Sequence, residues 1–218
     1  MRRLIALGVA GVVLGLLIVA QLVLPGIAAQ RVRDQLSRSG TVLSVKVSAF
    51  PAIKLLWGHA DSVVVRLGRY RAAASSIGAS VDGAANVGTL DVSAQEVDSG
   101  VITLRDAVLR KRGSELAGSA TVMESDLRSA VPFLDSVSPV ASSGGQLIMR
   151  GTASLFGLSA TVNAVVAAQD GALVVAPDVP FGGIATITLF SDPHVHVDSI
   201  GAVTVPGGFK LMAVARLE

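Results

Sequence analysis

Thr41–Gly68, TVLSVKVSAFPAIKLLWGHADSVVVRLG, contains two alternating segments separated by an apolar insert. Leu43, Val45, Val47 and Ala49 alternate with Ser44, Lys46 and Ser48, while Val63, Val65 and Leu67 alternate with Ser62 and Arg66, so both ends read as half-buried strands. The insert, Phe50–Gly58, carries the only Trp of the chain and is too long for a tight hairpin turn, with no Asn-Gly or Asp-Gly to make one. It reads instead as a helical turn begun by Pro51 and ended by Gly58.

Upstream, Leu4–Leu24 is broken by one polar side chain, Gln21, and preceded by Arg2 and Arg3. At 1.5 Å per residue such a run spans a hydrocarbon core of about 30 Å. Residues 1–24 are therefore expected to be an uncleaved transmembrane anchor; a cleavable signal is the alternative, weakened because Ile27-Ala28-Ala29 is a poor A-x-A-like site and the apolar run exceeds the usual h-region of about 7–15 residues. Arg31, Arg33 and Arg38 balance Arg2 and Arg3, so charge alone leaves orientation open. The short amino-terminal tail before a secretory-type segment places the body, 25–218, on the outer side. Pro25 is read as opening a second helix, Gly26–Ser39, with Ala28, Val32, Gln35 and Leu36 on one face, lying on the membrane or on the sheet.

The chain has 18 basic and 16 acidic residues; setting aside Arg2 and Arg3 leaves the body formally neutral, which disfavours nucleic acid as a partner. There is no cysteine, so the body must be held by its core, as its length allows. After Gly68 strands are expected around Leu90–Ala94, Val101–Leu109, Leu116–Val122, Gln146–Ser154, Leu158–Ala168, Ala172–Ala176, Ile184–Phe190, Val195–Val197 and Phe209–Leu217. A helix at Asp126–Val131, capped by Glu124 or Ser125 and ended by Pro132, buries Leu127 and Ala130; Ser136–Gly145 reads as a loop. Strands that do not alternate with helices give an α+β class: after the transmembrane helix, a strongly curved, long-stranded antiparallel sheet with about two helices.

VSAFPAIKLLWGHADSVVV, then DGALVV, DPHVHVDSIGA and GGFKLMAVARL, resemble the LmeA-type phospholipid-binding proteins of actinobacteria, whose domain is similar to the tubular lipid-binding (TULIP) fold. The resemblance runs from about Leu24 to Glu218 and rests on diffuse strand and turn patterns. It implies a cell-envelope protein that binds phosphatidylinositol-like phospholipid outside the cytoplasmic membrane and supports lipoglycan assembly. An envelope glycosyltransferase machinery is the partner it suggests, and no cofactor. A lipid-independent scaffold of the envelope is the alternative function.

The expected inward face is rich in small residues: Gly118, Ala120, Gly151, Ala153, Ala160, Ala164, Ala168, Ala213 and Ala215. Either the layers pack closely or a lipid fills the space, each buried CH₂ contributing about 0.8 kcal/mol. With the resemblance, Ala160, Ala164 and Ala168 become candidate acyl-chain contacts. Phe50, Ile53, Leu56 and Trp57 become a candidate entrance lip, and Arg66, Arg69 and Arg71 a candidate headgroup rim. Arg110–Arg112 reads as a solvated turn. His194 and His196 share a strand face at a spacing that a metal could use, but with His59 the only other histidine and no cysteine they read as solvent-facing strand histidines, and no metal site is assigned. None of the common catalytic or nucleotide signatures occurs, so no enzymatic activity is expected.

Overall fold

The computed structural model describes residues 21–71, 85–100, 102–130, 134–155, 158–178 and 186–218. The expected membrane run up to residue 20, Val101, the Val131–Pro132 helix end and Ile184 lie outside them. A helix, α1, covers 21–36, so Pro25 lies inside it rather than opening a new one. Then follow β1 (Gly40–Ser48), a 3-10 turn (Ala52–Trp57), β2 (Ala60–Arg71), β3 (Val87–Asp98), β4 (Thr103–Arg112), β5 (Glu115–Met123) and α2 (Glu124–Ala130). The remainder is β6 (Leu134–Ser143), β7 (Gln146–Leu155), β8 (Leu158–Gln169), β9 (Ala172–Pro177), β10 (Ile187–Phe190), β11 (Val195–Val205) and β12 (Gly208–Leu217).

These strands form two sheets rather than the one curved sheet expected. Seven strands run in the order β1-β2-β3-β4-β5-β12-β11 and five in the order β10-β9-β8-β7-β6. Nor is the large sheet wholly antiparallel, because β2 and β3 run parallel, Val63 beside Leu90 and Val65 beside Val92. The alternation in a strand states which residues share a face but not the direction of its neighbour.

One face of the large sheet carries most of its buried apolar side chains. At the β1 side, Val63, Val65, Leu67 and Ala94 form a buried cluster against which Leu36 of α1 packs, with Val45, Val47, Leu90 and Val92 around it. Helix α1 therefore lies on the sheet, and Arg33 reaches the backbone oxygens of Val42 and Leu43 at 3.5 and 3.4 Å. At the β11 side, Val122, Ile200, Ala202 and Phe209 pack against Leu147 and Val166 of the second sheet, with Leu127 of α2 at the margin.

The second sheet also seals the edge of the first. Outward N–H groups of β11 are taken by hairpin tips of the second sheet: Val197 donates to Gly171 at 2.9 Å and Ile200 to Gly145 at 3.0 Å. Ala202 donates to the Ser142 hydroxyl at 3.3 Å. An edge that would otherwise offer unpaired donors to another chain is thereby closed.

Two sequence expectations fail locally for identifiable reasons. Ser136–Gly145 was expected as a loop, yet β6 occupies most of it; β6 is an edge strand and its register shifts between Pro139 and Ala141, the setting in which a strand tolerates proline. Strand β11 continues to Val205 rather than stopping at Val197. Its register shifts between Val197 and Ser199, so Val195 and Val197 before the bulge, and Ile200 and Ala202 after it, are all buried despite opposite parity.

Candidate functional site

The insert after β1 forms a short helical turn at one corner of the large sheet. Lys54 N–H donates to Pro51 O at 3.2 Å, Gly58 N–H to Leu55 O at 3.2 Å and His59 N–H to Lys54 O at 3.1 Å. Gly58 adopts φ 74°, the left-handed conformation that ends the turn and that glycine accepts without a Cβ clash. Two polar side chains pin the turn to its surroundings. Gln21 donates from Nε2 to Ala49 O at 3.1 Å and accepts at Oε1 from Ala52 N–H at 2.7 Å. Asp61 accepts from Phe50 N–H and pairs with Lys54 Nζ at 3.3 Å.

This pinning leaves the apolar side chains of the turn outside. Phe50 is 76% exposed, Trp57 69% and Leu56 65%, with Ile53 less so. Leu22, Val23 and Ile27 on the adjoining helix are exposed as well. Contiguous exposed apolar side chains on a fixed turn mark a surface that meets something apolar.

The Asp61 carboxyl is held below its ordinary range, first by the Phe50 N–H, against a smaller opposing effect of burial, and then by Lys54. A lowered folded value means that its contribution is present above the ordinary carboxylate range, near pH 3.9, and is lost as pH falls through the lowered value. Protection of the Phe50 amide from hydrogen exchange is expected to fall in that acid window in the wild type. Asp61→Asn should show weaker protection at neutral pH and no acid step. Unchanged protection of the Phe50 amide in Asp61→Asn at neutral pH would show that the carboxylate does not hold the turn.

Between the two clusters lies a strip that neither covers. Leu109 of β4 stands opposite Gly118 of β5, which stands opposite Ala213 of β12; Leu116 and Ala215 pair one step along. None of these packs into either cluster, and Leu109 is 39% exposed. Three strands make the strip about 10 Å wide. A Cβ built on Gly118 would meet nothing closer than Leu109 at 3.9 Å and Val108 O at 4.0 Å. The second sheet behaves alike. Its inward parity continues past Leu147 and Met149 to Gly151, and past Val166 and Ala164 to Val162 and Ala160, where Val162 is 43% exposed. Both apolar faces therefore leave the shared core as half-buried or exposed residues, many of them small.

Where the strip reaches the helical turn there is a groove of about 620 Å³, lined by Lys54, Trp57, His59, Asp61, Asn86, Val87, Gly88 and Lys111 among others. Lys111 stands opposite Leu90 and Leu116 and so shares the apolar face. It is 3% exposed, the one buried charged or polar side chain among the described residues, and its Nζ donates to Val87 O. Burial lowers its pKa; the cover over the ammonium is thin, so the penalty is smaller than that of a deep interior.

Sequence reasoning passed over Lys111 because Arg110-Lys111-Arg112 reads as one solvated turn. Strand alternation was the usable signal: Ala107, Leu109 and Lys111 share parity, while Arg110 and Arg112 face the other way and both pair with Asp91, at 3.7 and 3.0 Å. The other basic cluster is placed differently from the expected rim. Arg69 and Arg71 lie at the far end of β2, about 36 Å from the turn for its 12 residues. There they line a second groove of about 430 Å³ with Arg38. Arg69 is paired with Glu96 at 3.1 Å and Arg71 with Asp98 at 3.8 Å, while Arg66 is exposed on the opposite face from Val65. Trp57 and these arginines therefore do not share one mouth. Of the three alanines, Ala164 and Ala168 are half-buried beside Val166 and Ala160 is exposed. His196 Nδ1 lies 3.4 Å from Glu218 Oε1, and among the described residues no cluster of His, Cys, Asp or Glu could hold a metal.

The sequence pattern of a family described as LmeA-like phospholipid-binding matches residues 18–204. The chain belongs to the LmeA-like phospholipid-binding family. The resemblance read from the Val47–Val65 segment and the later strands of this LmeA-like chain is thus confirmed. No curated protein matches the chain by sequence. A solved structure described as a STAR-related lipid transfer protein from Xanthomonas axonopodis is similar over 56% of this chain and 78% of that one, at 12% identity and a TM-score of 0.21. A likeness at that score carries no argument about this chain. Among the described residues no helix is long and apolar enough to cross a membrane.

Proposed function

We propose that this chain is a phospholipid-binding module held on the extracytoplasmic face of the cytoplasmic membrane by the apolar run Leu4–Leu24. It shelters the acyl chains of a phosphatidylinositol-like lipid against the uncovered strip, in a tubular arrangement akin to the TULIP fold. The observation that carries this reading is the exposed Phe50–Trp57 turn, bonded to Gln21 within that run, beside an apolar strip floored by Gly118 and Ala213. Trp and Phe at this position suit the membrane interface. The module does no covalent chemistry, and it supplies or presents lipid to the envelope machinery, including glycosyltransferases, that assembles lipoglycan.

Organic extraction of the natively purified full chain, followed by mass spectrometry, is expected to recover about one phospholipid per protein. Gly118→Val is the matched variant. Its added methyls enter space the lipid-free protein leaves open, and replacing a strand-interior glycine favours the strand by about 0.5–1 kcal/mol. The delipidated variant should therefore melt at or above the wild-type temperature while its recovered lipid falls by half or more. A lower melting temperature with unchanged lipid would remove the strip from the binding site.

A further inference from the structure

The groove under Trp57 contains a charge that no carboxylate among the described residues balances. Lys111 has three donors and gives one to Val87 O; among the described residues no carboxylate lies within ion-pair distance of it. Asp61, the acid lining the same groove, is already engaged by Lys54 and by the Phe50 N–H. Lys54 and His59 line the groove too, and Gly88 and Gly113 leave its wall without side chains. A volume of about 620 Å³ falls within the usual range for small-molecule sites, about 300–1,000 Å³. Burying a lone ammonium disfavours the empty protein, and an anion placed against it reverses that penalty.

We propose that this groove seats the phosphate of the bound phospholipid, with Lys111 as its cation and Trp57 as the wall at the membrane side. The assignment rests on the phospholipid-binding reading above and adds to it where the headgroup sits. It moves that contact from Arg66, Arg69 and Arg71, two of which are neutralised by Glu96 and Asp98, to the opposite end of the sheet. The phosphate then lies at the head of the strip, where Lys111, Leu116 and Ala215 stand side by side. The acyl chains continue toward Leu109, Gly118 and Ala213.

Trp57 is the chain's one tryptophan, so its fluorescence reports this groove directly. Full-length wild type, Lys111→Met and Lys111→Gln, each delipidated in a neutral detergent, are titrated with dioleoyl phosphatidylglycerol, with dioleoylglycerol that lacks the phosphate, and with inorganic phosphate. Lys111→Gln removes the charge but keeps a polar amide donor on a side chain one atom shorter, which guards against a folding defect peculiar to the apolar Lys111→Met. The expected result is a tenfold or greater loss of phosphatidylglycerol affinity in both variants, down to that for dioleoylglycerol, with dioleoylglycerol binding unchanged and melting temperatures at or above wild type. Equal loss of both lipids would assign Lys111 a structural role and overturn the proposal, as would undiminished phosphatidylglycerol binding in Lys111→Gln. A Lys111-dependent response to inorganic phosphate without any lipid response would overturn it in favour of a free-phosphate site. If wild type binds neither lipid nor phosphate, the phospholipid reading itself falls, and the headgroup seat with it.

Discussion

Replacing Phe50, Leu56 and Trp57 together by Ser is expected to weaken attachment of the body, residues 21–218, to phospholipid vesicles by roughly two to three orders of magnitude. Each of these side chains is largely exposed in the protein, so its transfer into the interface is gained only on binding. Partial burial of three large apolar groups, at about 25 cal/mol per Å², amounts to about 3–4 kcal/mol, and each 1.4 kcal/mol is tenfold. Because the turn is fixed by backbone hydrogen bonds and by Gln21 and Asp61, none of which is altered, the melting temperature should stay within a degree or two of wild type. Sedimentation with vesicles measures the first quantity and thermal denaturation the second. Unchanged sedimentation would show that the turn is not the membrane contact.

The second large effect is on the join between the sheets. Phe209 is buried at 4% exposure, stands opposite Val122, and belongs to the cluster that includes Leu147 and Val166 of the second sheet. Phe209→Ala is expected to cost about 3–5 kcal/mol, the usual range for emptying a buried aromatic site. Urea denaturation reads it. A cost below 1 kcal/mol would mean that the two sheets are held by the β11 edge bonds rather than by this core. Lipid recovery should fall as well, since the strip begins where this cluster ends.

Local chemistry made much of the fold legible in advance. Pro51 and Gly58 delimit the turn as their restricted and permissive backbones require, and period-2 alternation located β1, β2, β5, β7, β8 and β12 within a few residues. What stayed hidden was non-local. Nothing in the alternation of Val63–Leu67 reveals that β3 lies parallel beside it, or that β6–β10 form a second sheet. Bulges hid more: after the shift at Val197 and Ser199 the inward parity of β11 reverses, which made its second half unreadable as a strand. The candidate site was half legible. Phe50, Leu56 and Trp57 were found because a lone Trp in an apolar insert is conspicuous, whereas Arg66–Arg71 were joined to them by closeness in sequence, across a strand that carries them to the other end of the sheet. Lys111 was obscured by two flanking arginines that face the opposite way.

The double hydrogen bond of Gln21 ties the start of α1 rigidly to the turn that carries Trp57, and under the proposed anchoring this would set a fixed waterline. A flexible linker would let a tethered domain wander over a distance that grows with the square root of its length, so that its mouth would sample many heights above the bilayer. Here the only polar side chain in the apolar run is fastened to Ala49 and Ala52, the residues flanking the turn that carries Trp57. In the anchoring proposed above, the depth of the apolar run and the depth of the lip become one variable. That proposal predicts that lengthening the apolar run by a few residues lifts or tilts the whole body instead of slackening a tether, so that access of lipid to the groove changes with membrane thickness.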